Sequence, residues 1–169
     1  STNKVQNPEI KKFSDKRISR FSKAVHEVML NLAKQIVSDG EGASKLISIN
    51  CINCKSEKNA KNLSFKIANS LLVKTAIAGE DPNWGRIAMA IGNSDSKIIE
   101  KKLSISIGSF KIYDKGSLFK DYDEIKVREY MKGQLIEITV DIGQGNKNFQ
   151  AYTMDLTKKY IEINADYRT

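Results

Sequence analysis

Four places in the sequence hold residue types that chemistry uses. Asp39-Gly40-Glu41-Gly42-Ala43-Ser44-Lys45 sets a carboxylate between two glycines. A glutamate so placed can turn into a cleft and pair with a substrate ammonium, or it can be a solvated turn residue; the pattern alone leaves both readings open. The stretch 73–86 gathers the only tryptophan, Trp84, with Pro82, Gly79, Gly85, Glu80, Asp81 and Arg86. Proline and glycine restrict or release the backbone where turns need it, so these charges either pair inside a rigid turn or face a ligand. The end of the chain, Ile163-Asn164-Ala165-Asp166-Tyr167-Arg168-Thr169, has the amide, phenol and guanidinium needed to be tied down by hydrogen bonds, where most termini fray. Cys51 and Cys54 have the spacing of half a zinc site or a redox pair. No second pair follows and His26 is the only histidine, so the two thiols read as small buried hydrophobes and no metal or other cofactor is called for.

The elements that must position these residues are legible from apolar spacing. Phe21, Val25, Val28, Met29, Leu32, Ala33, Ile36 and Val37 fall at helical intervals, so 18–37 is expected to be a helix that ends at the glycines of 39–42. Ile47, Ile49 and Cys51 alternate with Ser48 and Asn50, which makes 45–52 a half-buried strand. Ala60, Leu63, Ile67, Ala68 and Leu71 restore helical spacing over 57–72. The apolar run 87–91 fits strand or buried helix equally. Strands are expected at 103–107, 110–113, 135–142 and 149–156, with a polar helix near 121–132. Gly143-Gln144-Gly145-Asn146 is expected to be a hairpin turn joining the last two strands. The segment 157–169 is expected to be anchored by Tyr160, Ile161 and Ile163. Helices and strands alternate without an internal repeat, which places the chain in the α/β class as layers of helix and mixed sheet.

Composition narrows the rest. With 169 residues, 40% hydrophobic and 28% charged, the chain can bury a sizeable core and is far from disordered compositions. No run reaches the roughly 18 apolar residues of a membrane span, and Ser1-Thr2-Asn3-Lys4 lacks the apolar segment of a secretory signal. A cytoplasmic location, or an organelle matrix, is therefore expected. The net charge of +8 invites a nucleic-acid reading. It is weakened because Lys4, Lys11, Lys12, Lys16, Arg17, Arg20 and Lys23 concentrate positive charge near the start, and the strand 103–107 lacks the paired aromatics of an RNA-binding sheet. Such a basic end suits a companion subunit with an acidic surface.

Three blocks then carry a resemblance. DGEGASK at 39–45, ANSLLVKTAIAGEDPNWGRIAMAIG at 68–92 and DLTKKYIEINADYRT at 155–169 resemble, in order and spacing, signature blocks of the ornithine acetyltransferase family. The likeness runs from Ser1 to Thr169 and implies the layered α/β fold shared by these enzymes and self-cleaving aminopeptidases. It implies a chain made by autocatalytic cleavage of a precursor, forming the C-terminal part of the smaller subunit and working with the larger chain as a dimer of two-chain units, a heterotetramer. The family moves an acetyl group from N-acetylornithine to glutamate in arginine biosynthesis, through an acetyl ester on a threonine exposed by the cleavage.

By the same resemblance Ser1-Thr2-Asn3 matches a segment that follows the nucleophile, so no catalytic residue is expected in this chain, and alone it is expected to be inactive. Lys4 stands where many members carry an acidic residue. Glu41, Asn164 and Thr169 map onto the family's substrate-binding residues, as one unit, 1–169, completed by the partner chain and by upstream residues. The competing readings are an amide hydrolase or aminopeptidase of the same fold, in which water replaces glutamate, and a non-enzymatic basic binding module.

Overall fold

A period of two in Ile47, Ile49 and Cys51 builds the strand β1 (Leu46–Cys54), whose three apolar side chains are fully buried. The structure, a computed structural model, describes Lys12 and residues 15–166. It divides into two compact units, one up to Gln35 and one from Ile36 onward. The first holds a 3-10 turn, Lys16–Ile18, begun by Asp15, whose carboxylate accepts from the Arg17 backbone amide. Most of helix α1 (Ser19–Ser38) follows, as its spacing foretold. Its apolar residues fall along one stripe of the helix, which makes it amphipathic.

The second unit is built on one mixed sheet. Besides β1 it contains β2 (Ser104–Ile107), β3 (Phe110–Asp114), β4 (Ser117–Leu118), β5 (Leu135–Asp141) and β6 (Lys147–Met154), in the order β4-β3-β2-β5-β1-β6. β1 runs parallel to β5 and antiparallel to β6; β2 is antiparallel to both β3 and β5. Along β5, Ile136, Ile138 and Val140 are buried while Leu135 and Glu137 are exposed, the alternation of a strand with one covered face.

Helices cover that face. α2 (Glu57–Ala68) starts where Ser56 accepts from the Asn59 amide, and it buries Ala60, Leu63, Ser64, Ile67 and Ala68, one helical stripe, against β1 and β6. The Ser64 hydroxyl donates to the Phe149 carbonyl. The helix stops at Ala68 rather than running on to 72, because Ser70 adopts an extended backbone and caps a new helix, α3 (Leu71–Ala78). The ambiguous run 87–91 is helical: Asn83 caps α4 (Trp84–Gly92), which buries Ile87, Ala90 and Ile91. α5 (Glu124–Met131) occupies part of the expected polar helix.

Two expectations are overturned. Residues 143–146 do not form a hairpin, since β1 lies between β5 and β6. The connection instead crosses the end of β1: the Ile142 and Gln144 amides donate to the carbonyls of Ile52 and Asn53, and a side chain at Gly145 would run into the Cys54 carbonyl. The end of the chain forms helix α6 (Lys158–Asp166) in which Tyr160, Ile161 and Ile163 are exposed. Apolar burial is therefore not what anchors it.

Candidate functional site

The glycines around Glu41 act at a close approach. After α1, the Gly40 amide bonds to the Val37 carbonyl and the Ala43 amide to the Gly40 carbonyl, closing a tight turn that presents Glu41 to solvent. Gly42 has φ +69°, and a side chain there would fall 2.6 Å from the Tyr160 nitrogen. The turn therefore lies directly on the first turn of α6.

That contact brings two of the expected residues together. Asn164 Nδ2 donates to Glu41 Oε2 at 2.8 Å and to the Tyr160 carbonyl at 2.9 Å. Two acceptors facing one nitrogen fix the orientation of the amide and use both its hydrogens. Asn164 Oδ1 and Glu41 Oε1 then remain as acceptors without a donor among the described residues. An exposed carboxylate edge beside an amide oxygen is complementary to a cation with several N–H donors, such as an ammonium. Thr169, the third expected residue, lies outside the described residues, as do Ser1, Thr2, Asn3 and Lys4.

The three sequence blocks meet here through residues to which pattern reading assigned no role. Asp155, buried at the end of β6, accepts from the Ser44 amide at 2.8 Å, the Ser44 hydroxyl at 2.5 Å and the Lys45 amide at 3.0 Å. Thr157 Oγ1 donates to the Gly42 carbonyl at 2.6 Å. The buried Lys45 ammonium bonds Glu80 Oε1 at 3.2 Å and the Met131 carbonyl at 2.8 Å, tying the turn to the second block. The available signal was a lone Asp closing an apolar strand two residues ahead of a Thr, a pattern that offers side-chain acceptors and donors at a strand-to-helix junction.

The loop of the second block is a rigid structural turn. Glu80 takes φ +55°, and its partner is Lys45 rather than a neighbour in the loop. Asn83 Nδ2 donates to Asp81, and Arg86 donates to the Leu72 carbonyl and the Thr75 hydroxyl at the α3 end. Trp84 stacks on Tyr113 with ring centroids 4.8 Å apart. Arg86 ties this loop to α3, the Leu156 amide ties the segment before α6 to the Lys74 carbonyl of α3, and between α3 and α6 opens a largely apolar cleft of about 750 Å³ lined by Thr75, Ala78 and Gly79 on one side and Leu156, Thr157, Ile161 and Glu162 on the other. α6 thus shows Tyr160 and Asn164 to the Glu41 turn, and Ile161 and Glu162 to the cleft.

Cys51 and Cys54 are buried, and burial pushes the Cys51 thiol up to about 12, away from the thiolate that metals and redox chemistry use. Among the described residues, no group of three His, Cys, Asp or Glu side chains is placed to hold a metal ion, and no helix is long and apolar enough to cross a membrane.

The sequence model of the ArgJ family matches residues 2–169. The arginine biosynthesis bifunctional protein ArgJ of Bradyrhizobium diazoefficiens is 46% identical over 162 residues, 96% of this chain and 39% of that protein. The protein of the same description from Ruegeria pomeroyi is 49% identical over 151 residues, 89% of this chain and 37% of that protein. The crystal structure of arginine biosynthesis bifunctional protein ArgJ from Bacillus halodurans superposes with a TM-score of 0.89 at 35% identity, covering 95% of this chain and 75% of that one. The chain spans about two fifths of the length of the curated relatives it matches.

Proposed function

Because this chain belongs to the ArgJ family, we propose that it is the substrate-holding part of a two-chain acetyltransferase of arginine biosynthesis, which moves an acetyl group from N-acetylornithine to glutamate. The observation that carries the reading is the hydrogen bond between Asn164 and Glu41, which builds an acceptor-rich, anionic edge at 2.8 Å from residues far apart in the chain. N-acetylornithine offers the matching group. One of its amines is acylated, so its single ammonium is the side-chain one, and Glu41 Oε1 with Asn164 Oδ1 can receive it.

In this reading the nucleophile is a threonine supplied by cleavage of the precursor and lying outside residues 1–169. Its oxygen bonds to the acetyl carbon, the carbon–nitrogen bond to ornithine breaks, and the departing amine takes up a proton. The amine of glutamate then attacks the ester, and the threonine oxygen leaves with a proton. Glu41 and Asn164 hold N-acetylornithine through the first half-reaction, with Thr169 as a third contact. The larger chain provides the groups that stabilise the oxyanion, and two such pairs form the assembly. No cofactor takes part.

The test uses the complete two-chain protein, N-acetylornithine carrying a labelled acetyl group, and glutamate. Labelled acetylglutamate is the expected product. Free labelled acetate in its place would make the protein an amide hydrolase of the same fold, and formation of neither labelled product, with salt-dependent binding to nucleic acid, would make it a basic binding module.

A further inference from the structure

Resting on the reading that Glu41 and Asn164 hold the substrate, we propose that Asp155 and Thr157 are positioning residues, a clamp that sets the Glu41 carboxylate against Asn164. The need for a clamp follows from the two elements themselves. Glu41 sits between two glycines in an exposed turn, which has little conformational preference of its own. Asn164 sits on α6, a helix without a buried residue, so apolar packing does not fix its place either. Two such elements would move independently unless polar contacts joined them.

The joining contacts run through one short segment. Asp155, only 1% exposed, gathers three donors from Ser44 and Lys45, and its own amide returns a bond to the Lys45 carbonyl at 3.2 Å. This carboxylate is surrounded by donors and faces no open space, so its bonds are committed to the turn. Thr157 reaches the Gly42 carbonyl, one residue beyond Glu41, and its own carbonyl accepts from the Tyr160 amide as α6 begins. Between them the Leu156 amide donates to the Lys74 carbonyl, which ties the segment to α3. The turn is thereby held at Gly42, Ser44 and Lys45 by residues that lead directly into the helix carrying Asn164. Neither Asp155 nor Thr157 contacts the acceptors of Glu41 and Asn164 that lack a donor among the described residues; Thr157 lines the neighbouring cleft, but its hydroxyl is given to the Gly42 carbonyl, so both residues act on the placing of Glu41 through the turn.

The test is a double-mutant cycle in the complete two-chain enzyme, with melting temperature recorded for every variant. Thr157→Val keeps the shape and removes the donor, whereas Thr157→Ser keeps the donor. Thr157→Val is expected to raise KM for N-acetylornithine about five- to tenfold at nearly constant kcat, the mark of lost uniform binding, and Thr157→Ser to stay within about twofold of wild type. In a Glu41→Gln background, Thr157→Val should add less than about twofold, because the residue it positions has already lost its charge. Asp155→Asn, which keeps the one oxygen used by both backbone amides but puts an NH2 donor where the Ser44 hydroxyl finds its acceptor, is expected to follow the same cycle and replaces Thr157→Val if that variant does not fold. An equal KM effect in both backgrounds, or a lower melting temperature with unchanged KM, would make the pair structural and overturn the inference. If Glu41→Gln itself leaves KM unchanged, the substrate-holding reading fails first, and the inference falls with it.

Discussion

The Lys45 ammonium lies 3.2 Å from Glu80 Oε1 and 2.8 Å from the Met131 carbonyl, so one buried cation joins the Glu41 turn, the loop before α4 and the end of α5. Lys45 is 8% exposed but the Glu80 side chain is 37% exposed. Losing the lysine would strand a carbonyl and a carboxylate, yet water can still reach the carboxylate, which puts the cost below that of breaking a fully buried pair. Lys45→Met is expected to destabilise the fold by about 1–3 kcal/mol, read as a melting temperature lower by several degrees. Glu80→Gln, which keeps an acceptor, should cost clearly less.

Gly42 is expected to be irreplaceable. Its φ of +69° disfavours any side chain, and a Cβ would press on the Tyr160 nitrogen at 2.6 Å, a backbone atom that yields only if α6 shifts. Gly42→Ala should lower stability by about 2 kcal/mol or more and raise KM for N-acetylornithine as well, because the shift separates Asn164 from Glu41. Gly92 is the control. A Cβ there meets nothing within 4 Å, and the residue is helical, so Gly92→Ala is expected to be neutral or mildly stabilising.

The buried thiols give a prediction about reactivity. Alkylation proceeds through the thiolate, and burial raises the Cys51 thiol to about 12 while an unfolded cysteine ionises near its ordinary value. At pH 8 native Cys51 should label with iodoacetamide at least about a hundredfold more slowly than in the denatured chain. The rate should climb towards pH 11, as the thiolate fraction rises. Fast labelling at pH 8 in the native state, followed by mass spectrometry, would contradict the packing described for β1.

The bond from Asn164 to Glu41 is exposed, and exposed hydrogen bonds contribute little to folding. Asn164→Leu keeps the volume and removes both the donor and the free Oδ1. It should lower kcat/KM for N-acetylornithine about tenfold and change the melting temperature by no more than a degree or two. A large loss of stability instead would make Asn164 a cap of the α6 docking rather than a binding residue.

Local periodicity carried much of this architecture and failed where distant residues intervened. α1 and β1 follow from spacings of 3.6 and two that any neighbour would satisfy. The turn at 143–146 looks like a hairpin because its flanks are strands of similar length, but β1, formed some ninety positions earlier, occupies the space between them. Nothing local to 143–146 records that insertion. α6 was missed for the opposite reason: its apolar residues stay exposed, and polar bonds to 42–45 hold the segment before it. Glu41 and the tail holding Asn164 stood out by residue type, but a solvated turn and a frayed end fitted them as well; the motif resemblance made them substrate-binding candidates, and the structure brings the two side chains within hydrogen-bond reach. Asp155 escaped notice because its three donors come from residues more than a hundred positions away.

The account rests most directly on the charge of Glu41, and steady-state kinetics of Glu41→Gln in the complete two-chain enzyme measure it. Glutamine keeps the size of the side chain and an acceptor for Asn164 while removing the negative charge. A charge-assisted hydrogen bond to a desolvated ammonium is worth about 1.5–3 kcal/mol. The expected result is a kcat/KM for N-acetylornithine lowered about ten- to a hundredfold, with a nearly unchanged melting temperature. Unchanged kinetics in the folded fraction, with a substantially lower melting temperature, would show Glu41 to be a structural turn residue and contradict the account.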